Sequence, residues 1–434
     1  MPVNRRQLVN AFVPAAGIDD PHRFAGRREE IESLTDALHV DGSVPLIYGQ
    51  RGLGKSSVAL QLTRIAQGDV ELLRELDLEA LALEEDQRFI TFFIVCTDAT
   101  KNLNGILQLM INAMETAKHV KSQELEARYR LVDKKTRRQL SLKFFEVETT
   151  KSYAQRIEAL DTSKFSLQER VSHLTDALTE IFDQPVLFVI DELDRIGPVR
   201  GLSSFLKAAS SPLLKFVLVG IGTSHSELLR DHASLNRQLV PVKVPRMSPG
   251  ELESIVERTE EYLAGIGESL EFTPEFTEAV AKIASGFPWF VHVIGQAAVV
   301  SAVKESRTLI GLAQFNTAVN ALTNVRFARQ YYDMYLTAVR DSAQREYVLR
   351  LFATWHDEDV PTSAIYPRAR QLGVSNPSTY LGHLTRSECG PVLARSPHQS
   401  RALYRFTDEM FKVYVRARAS LYEGVKEKVN SLEN

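Results

Sequence analysis

The sequence has few of the features that mark secreted or membrane proteins. Its 434 residues include two cysteines, Cys96 and Cys389, which lie far apart and lack metal-site spacing. This usage is typical of a reducing compartment. No long apolar segment follows the arginines at positions 5 and 6, so we expect no signal peptide. The longest uncharged run, residues 287–303, is too short and too polar for a transmembrane helix. We therefore expect a cytoplasmic protein without a membrane partner.

Neither composition nor charge points to a specialised class of protein. The net charge is −3 at pH 7, so no overall basicity indicates a nucleic-acid partner. A hydrophobic content of 44% and a charged content of 25% are typical of globular proteins. The length of 434 residues predicts two or three domains. Local motifs must therefore carry the functional prediction.

The segment GQRGLGKS, at positions 49–56, fits the phosphate-binding P-loop pattern G-x-x-x-x-G-K-[ST]. Its glycines permit a tight turn that points backbone N–H groups at phosphate oxygens, and the following helix adds its positive end. An apolar strand at 44–48 precedes it and an amphipathic helix at 57–66 follows, a context that disfavours a glycine loop without a ligand. Lys55 is expected to reach the β- and γ-phosphates, and Ser56 to hold Mg²⁺. The other residues expected to contact the nucleotide are Gly49, Gly52, Leu53, Gly54 and Ser57.

An uncharged apolar run at 186–190 predicts a second buried strand, and two carboxylates follow it. Ligands bind at the carboxyl ends of strands in open α/β sheets. We expect Asp191 to contact the Mg²⁺ shell, and Glu192 to orient and deprotonate an attacking water. A strand that merely ends in solvated acids is the alternative, which the upstream P-loop disfavours. For Asp194 we expect only the capping of the next turn.

Further apolar strands at 89–95, 215–221 and 239–244 alternate with helices, which predicts a parallel five-stranded sheet covered by helices on both faces. An insertion at about 104–165 interrupts this pattern, with a predicted helix at 104–120 and a predicted hairpin within 137–153. We favour a solvated surface over a nucleic-acid or protein contact for the basic cluster of this insertion, which comprises Lys134, Lys135, Arg137, Arg138 and Lys143.

The composition changes at Pro245, where a capping box with a proline at the first helical position begins a wholly helical stretch. The last part of the chain predicts three helices, at 344–355, 363–372 and 378–386, followed by a hairpin that pairs 391–394 with 402–406. Three helices and a hairpin describe a winged helix-turn-helix. We therefore expect four segments, namely a lead-in at 1–43, a P-loop ATPase core at 44–245, a helical lid at 246–341 and a winged-helix domain at 342–434.

Together these elements resemble the AAA+ and STAND group of P-loop ATPases, with origin-recognition-type initiators and archaeal and bacterial STAND-like ATPases as the closest likeness. The segment FAGRREE at 24–30 is similar to the F-x-G-R-x-x-E segment that precedes the P-loop there. The segment DELD at 191–194 resembles the initiator form of the acidic motif. The resemblance implies that Phe24, Gly26 and Arg27 lie beside the adenine.

Four further assignments follow from this resemblance. Thr223, with Ser224 as the adjacent alternative, occupies the place of a γ-phosphate sensor. Arg237 lies where the family carries an arginine finger that acts on a neighbouring subunit's nucleotide, and a surface arginine is an equally favoured interpretation. Initiators have an arginine at the position of Trp289, whereas STAND-like members have a G-x-P element, which implies that Pro288 lies near the nucleotide and couples it to the lid. Residues 406–411 also resemble the end of STAND-like winged domains.

The sequence thus predicts a slow ATPase that uses ATP or ADP and Mg²⁺ and whose nucleotide state controls domain arrangement or assembly into a homo-oligomer. Two outputs remain open. The winged domain contacts double-stranded DNA, or it packs on the ATPase core as a signalling switch and is released when ATP replaces ADP. A protein partner at residues 104–165 is a further option, whereas a metabolic kinase is disfavoured. The residues expected to contact DNA phosphates are Arg386, Arg395, His398, Arg401 and Arg405.

Overall fold

The computed structural model describes residues 5–117, 165–197, 199–222, 235, 237–321, 329–355, 357–396 and 402–432. The chain divides into two compact units. The α/β unit comprises Gly17–Gln50 and Gly54–Pro245, and the C-terminal unit comprises Met1–Ala16, Arg51–Leu53 and Arg246–Asn434. The hairpin and basic cluster predicted within 134–153 lie outside the described residues. So do four residues assigned above, namely Thr223, Ser224, His398 and Arg401.

A parallel five-stranded sheet forms the centre of the α/β unit, with the strand order β2-β3-β4-β1-β5. The predicted parallel sheet is confirmed. The strands are β1 (Val44–Gly49), β2 (Ile90–Val95), β3 (Val186–Asp191), β4 (Leu214–Ile221) and β5 (Leu239–Lys243). The helices of this unit are α2 (Arg28–His39), α3 (Lys55–Ala66), α4 (Glu71–Glu75), α5 (Leu103–Ala117), α6 (Leu167–Phe182) and α7 (Leu202–Ala209), and the helix α1 (Arg5–Val9) belongs to the C-terminal unit.

The sheet is held by continuous apolar strands rather than by alternating ones. All six residues of β3 are buried, as is expected of a strand with both faces covered. Phe188 stacks on Phe92 of β2 and on Phe216 of β4, with ring centroids 5.1 and 6.3 Å apart. Such offset aromatic contacts add to the stabilisation from apolar burial. The strand that ends in the acidic motif is therefore fixed in the middle of the core.

One lysine within this core is buried on β4. Lys215 is 2% exposed, and its Nζ donates to the carbonyl oxygens of Ala37, Leu38 and Val40 at 3.1, 2.7 and 2.6 Å. These carbonyls belong to the C-terminal end of α2, where helix carbonyls lack intrahelical partners. Burial lowers the pKa of Lys215 to about 8. The lysine thus attaches α2, which follows the FAGR segment, to the central sheet.

The C-terminal unit is mainly helical. Its helices are α8 (Pro249–Gly265), α9 (Pro274–Ala284), α10 (Pro288–Lys304), α11 (Leu312–Ala321), α12 (Arg329–Val339), α13 (Ala343–Thr354), α14 (Thr362–Gln371), α15 (Pro377–Leu384), α16 (Glu409–Ala417) and α17 (Val425–Asn430). The predicted capping box at the start of α8 is confirmed, because Ser248 accepts from the N–H of Glu251 and Glu251 accepts from that of Ser248. None of the helices in the described ranges is both long and apolar enough to cross a membrane.

Two small sheets accompany these helices. A parallel pair joins β6 (Glu271–Phe272) to β7 (Leu309–Ile310). An antiparallel sheet has the order β8-β10-β9 and comprises β8 (Val360–Pro361), β9 (Leu393–Arg395) and β10 (Leu403–Phe406). The predicted hairpin is confirmed by the pairing of β9 with β10. It follows α13, α14 and α15, so three helices and a hairpin succeed one another as expected.

Candidate nucleotide-binding site

The backbone of the P-loop has the conformation that its glycines allow. Gly52 and Gly54 have φ values of 78° and 88°, in the left-handed region that other residues rarely adopt. Gly54 is the N-cap of α3 and offers no side chain to the helix N–H groups. The start of α3 has no side-chain cap, and an uncapped helix N-terminus is the kind of end at which proteins bind phosphate.

Lys55 is the first residue of α3, and it lies with its side chain turned back along the loop. The residue is 8% exposed, and its Nζ donates to the carbonyl oxygen of Gln50 at 2.9 Å. A buried ammonium is costly unless it is hydrogen-bonded or paired with a negative charge. The position of this charge within the loop suits a residue whose eventual partner is a phosphate.

Ser56 and Asp191 meet at the carboxyl end of β3. The hydroxyl of Ser56 donates to Oδ2 of Asp191 at 2.7 Å, and Oδ1 of Asp191 accepts from the N–H of Glu192 at 2.7 Å. Burial raises the pKa of Asp191, while the bonds from Ser56 and Glu192 oppose that rise. The structure thus brings together the two residues predicted to serve the metal ion, although they are 135 positions apart in sequence.

These two oxygen donors fit Mg²⁺, a hard cation that proteins often hold with one or two carboxylates together with substrate phosphates. Within the described ranges, no group of three or more histidine, cysteine, aspartate or glutamate residues forms a metal cage. A site of this kind would therefore rely on the nucleotide for part of its coordination.

Glu192 lies in a turn that holds its carboxylate in an ion pair. Its φ of 56° places it in the left-handed region, which is unusual for a residue other than glycine. The carboxylate pairs with Nε of Arg195, whose Nη1 is 3.5 Å from Oδ1 of Asp98. The hydrogen bond to Glu192 raises the pKa of the Arg195 guanidinium. Arg195 was not predicted from the sequence. Its spacing of three residues from Glu192 is the one sequence feature that could have suggested an ion pair.

The side chain of Asp194 makes a different contact from the one predicted from the sequence. Its Oδ1 accepts from the backbone N–H of Ile221 on β4 at 2.7 Å, so its side chain contacts the neighbouring strand rather than the turn that follows. The single-turn 3-10 helix at Leu193–Ile196 directs the side chain towards β4. The sequence could not reveal this contact, because it depends on the turn conformation and on the pairing of β3 with β4.

The segment that resembles an adenine-side motif is firmly attached to the α/β unit. Phe24 is buried, and both Gly26 and Arg27 have left-handed φ values, 65° and 67°. Nη1 of Arg27 donates to the carbonyl oxygen of Pro245 at 2.8 Å and is 3.3 Å from a carboxylate oxygen of Glu30. The Arg27 side chain is only 3% exposed, so its guanidinium serves contacts within the protein.

Ser57 has a similar connecting contact. Ser57 lies in the first turn of α3, and its hydroxyl accepts from the N–H of Ile18 at 3.0 Å. Gln61, on the same helix, donates to the carbonyl oxygens of Ile18 and Asp19 at 2.8 and 3.0 Å. These bonds fasten the N-terminal segment of the α/β unit to the helix that follows the phosphate loop.

The structure also describes Arg237 and Pro288. Arg237 is exposed in the turn before β5. Pro288 is the first residue of α10, in the C-terminal unit, and the preceding Gly286 and Phe287 pack against Arg246. The N–H of Met247 also donates to the carbonyl oxygen of Gly286 at 3.0 Å. The G-x-P element is thus built into the beginning of the C-terminal unit.

Comparison with known proteins agrees with this geometry. Residues 23–219 match the family described as AAA ATPase domain. Over most of its length, the chain has the fold of the Aeropyrum pernix ORC2 protein solved as ADPNP–ADP complexes, with a TM-score of 0.50, 14% identity and coverage of 99% of this chain and 98% of that chain. The predicted resemblance to AAA+ P-loop ATPases and to the fold of origin-recognition-type proteins is confirmed.

Two further solved structures give lower TM-scores. Cdc6p from Pyrobaculum aerophilum gives a TM-score of 0.44 at 13% identity and covers 100% of this chain and 99% of that chain. RuvB, the Holliday junction branch migration motor of Thermotoga maritima, gives a TM-score of 0.40 at 16% identity, with coverage of 89% of this chain and 94% of that chain. No curated protein matches the sequence significantly. Such identities inform us about the fold alone, so the function has to be argued from the site.

Proposed function

We propose that this chain, whose residues 23–219 match the AAA ATPase domain, is a molecular switch that binds ATP and hydrolyses it slowly. The observation that carries the proposal is the 2.7 Å hydrogen bond between Ser56 and Asp191. This bond joins Ser56, which follows the P-loop lysine, to Asp191, the last residue of β3. These are the two groups that manage the metal ion in P-loop nucleotide hydrolysis.

Each residue then has a defined task. The backbone of the phosphate loop and the first turn of α3 bind the phosphates, and Lys55 neutralises charge on them. Ser56 and Asp191 would hold Mg²⁺. When bound, Mg²⁺ offsets negative charge on the β- and γ-phosphate oxygens. Glu192 orients the attacking water and accepts its proton.

The ion pair with Arg195 supports a slow rate. The carboxylate of Glu192 has to leave its contact with the Arg195 guanidinium before it can bind a water molecule, so the ion pair competes with the proposed role of Glu192. The side chains of Arg195 and Glu192 are 44% and 40% exposed, so the pair is weak enough to open. Slow hydrolysis suits a switch, which has to remain in one nucleotide state long enough to act.

Phosphate release under steady-state conditions tests this proposal. Lys55→Ala is expected to lose nucleotide binding, whereas Glu192→Gln is expected to retain binding and lose turnover. Lys207→Ala, which alters an exposed lysine on α7, is the matched control and keeps wild-type values. Turnover of Glu192→Gln at the wild-type rate would show that this carboxylate is not the base.

For the output, we propose a winged-helix domain formed by α13, α14, α15 and the antiparallel sheet, with double-stranded DNA as its partner. Arg386, which follows α15, and Arg395 on β9 are exposed, and Arg405 is partly exposed on β10, where it pairs with Ala394. Exposed guanidinium groups at a recognition helix and wing are suited to phosphate contacts.

The alternative output is a regulatory switch without DNA. It is favoured by contacts between α16 and the lid helices within the C-terminal unit. Glu409 on α16 forms a partly buried ion pair at 2.8 Å with Arg246, just before α8, and Arg416 donates to Ser285, at the end of α9, at 3.2 Å. A winged domain held in this way serves as an internal regulatory element whose release is the signal.

Anisotropy of a labelled duplex separates the two outputs. If DNA is the partner, affinity falls steeply as salt rises, because each neutralised phosphate releases counterions. Removing both Arg386 and Arg395 by substitution with alanine is expected to weaken binding and reduce the salt slope. Substitution of both Lys282 and Lys304, exposed lysines on α9 and α10, with alanine is the charge-matched control. No binding at low salt, with ATP or ADP present, would leave the regulatory switch as the output.

A further inference from the structure

Strand β4 extends beyond the end of its partner β3. The ladder between the two strands ends where Ile190 pairs with Leu218, yet β4 continues to Ile221. Beyond this point β3 gives way to the turn that carries Glu192. The backbone N–H of Ile221 therefore has no strand partner on that side. Asp194 supplies the missing acceptor, with its Oδ1 2.7 Å from the nitrogen of Ile221.

The other edge of β4 is bound at the same level to the phosphate loop. Gly49, the first residue of the loop, is the register partner of Ile221 on β1, and its carbonyl oxygen accepts from the N–H of Gly222 at 3.3 Å. The last two described residues of this segment, Ile221 and Gly222, thus lie between the phosphate loop and the acidic turn. Hydrogen bonds join three separate sequence motifs at this point.

We propose that Asp194 is a positioning residue for hydrolysis, which fixes the end of β4 against the turn that carries Glu192. Its acceptor oxygen sets where the chain leaves the sheet after Ile221, on the side of the proposed base. This inference rests on the proposed ATPase function and deepens it. Asp194 acts through the backbone of Ile221 and needs no contact with the nucleotide.

The position of the bond distinguishes this task from a purely structural one. Asp194 is only partly buried, and Ile221 is 42% exposed, so neither residue contributes much to the core. Substitutions at such surface positions usually change stability little. Positioning effects on turnover are larger, because a displacement of about 1 Å at a reacting group can reduce a rate by about 100-fold.

The test compares Asp194→Ala with Asp194→Asn. Asparagine retains an oxygen acceptor for the N–H of Ile221, whereas alanine does not. We expect Asp194→Ala to lower kcat by about tenfold or more, with KM for ATP and affinity for ADP within about twofold of wild type. We expect Asp194→Asn to retain most of the wild-type kcat. Asp176→Ala, which removes an exposed carboxylate from α6, is the control and leaves kcat unchanged.

Amide hydrogen exchange provides a second readout that does not depend on activity. The N–H of Ile221 should exchange slowly in the wild type and in Asp194→Asn, and faster in Asp194→Ala. If Asp194→Ala fails to fold, Asp194→Asn still tests the proposal, because a fall in its kcat of about tenfold or more, with the N–H of Ile221 still protected, would overturn it.

Two results would overturn the proposal. One is wild-type kcat in folded Asp194→Ala, and the other is a loss of turnover in Asp194→Asn as large as that in the alanine variant. Neither resembles failure of the proposed function, which would appear as absent hydrolysis by the wild type or as wild-type turnover by Glu192→Gln.

Discussion

At the scale of single residues, the site combines predicted contacts with unpredicted ones. Ser56 and Asp191 meet as expected, because two sequence motifs of known geometry place them at the same edge of the sheet. Arg195 and Asp194 were not assigned to the site from the sequence. Their partners, Glu192 and Ile221, are set by a left-handed turn whose conformation the residue types do not specify. Contacts formed by such turns are therefore visible only in the structure.

The first prediction concerns the ion pair of Glu192. Arg195→Gln removes the guanidinium and frees the carboxylate to serve a water molecule. Because an exposed ion pair is weak, we expect kcat to rise by no more than about fivefold, with little change in KM. Steady-state phosphate release measures the effect.

Two further variants make this test specific. Arg195→Lys retains a positive charge and should lie between the wild type and the glutamine variant. Arg200→Gln changes an exposed arginine five positions downstream and should have no effect. A fall in kcat for Arg195→Gln would mean that Arg195 assists hydrolysis rather than restraining it.

At the scale of secondary-structure elements, long apolar strands were the easiest to predict. The strand β3 has no charged residue before Asp191, and its neighbours β2 and β4 are also mostly apolar, so burial accounts for most of the core of the sheet. The two-residue strands β6, β7 and β8 have no such signal, because their pairing depends on the helices around them. The sequence also does not indicate that Lys215, within β4, donates to the carbonyls at the end of α2.

The second prediction concerns that lysine. In Lys215→Met the carbonyls of Ala37, Leu38 and Val40 lose their common donor while the apolar stem is conserved. Ser43 still donates to the carbonyls of Ala37 and Val40, whereas the carbonyl of Leu38 loses the donor described here. Leaving a buried acceptor without a partner costs about 1–3 kcal/mol, so we expect a loss of stability of that size. Urea unfolding of this variant, with Lys207→Met on the surface of α7 as control, measures it. An unfolding midpoint equal to that of the wild type would contradict the assigned role.

The third prediction concerns how the stability difference between the wild type and Lys215→Met depends on pH. Because the pKa of Lys215 is lowered to about 8 in the folded protein, the unfolded chain binds more protons above that pH. Wild-type stability should therefore rise between pH 8 and 9.5, by at most about 1.4 kcal/mol per pH unit from this group. Lys215→Met lacks this contribution, so its deficit should grow with pH. The buried Lys412 and Lys426 have the same lowered pKa, about 8, and cancel in the comparison. A stability deficit of Lys215→Met that is constant from pH 8 to 9.5 would contradict a lowered pKa for Lys215.

At the scale of the whole molecule, the chain consists of an α/β unit and a mainly helical C-terminal unit. The first contains the Ser56–Asp191 contact and the Asp194–Ile221 contact, and the second contains the G-x-P element and the proposed winged helix. The sequence predicted this order of elements, since composition and periodicity change along the chain. It could not predict how the nucleotide state is transmitted, because that depends on differences between conformations.

The fourth prediction concerns assembly. If Arg237 acts on the nucleotide of a neighbouring subunit, wild-type turnover per subunit should rise with protein concentration and then level off. Arg237→Ala should abolish this rise and lower the plateau by about tenfold or more, since a guanidinium at the transferring phosphoryl group stabilises the transition state. Lys243→Ala, an exposed cation on β5, is the control. Turnover that is independent of concentration in the wild type would contradict a finger acting between chains.

The central claim is that a magnesium nucleotide binds where the phosphate loop meets Asp191. Isothermal titration calorimetry of folded, pure protein with ATP or ADP in the presence of Mg²⁺ tests it most directly. The account predicts one nucleotide per chain for the wild type, weaker binding without Mg²⁺, and no measurable binding for Lys55→Ala. No uptake of either nucleotide by the wild type would contradict it.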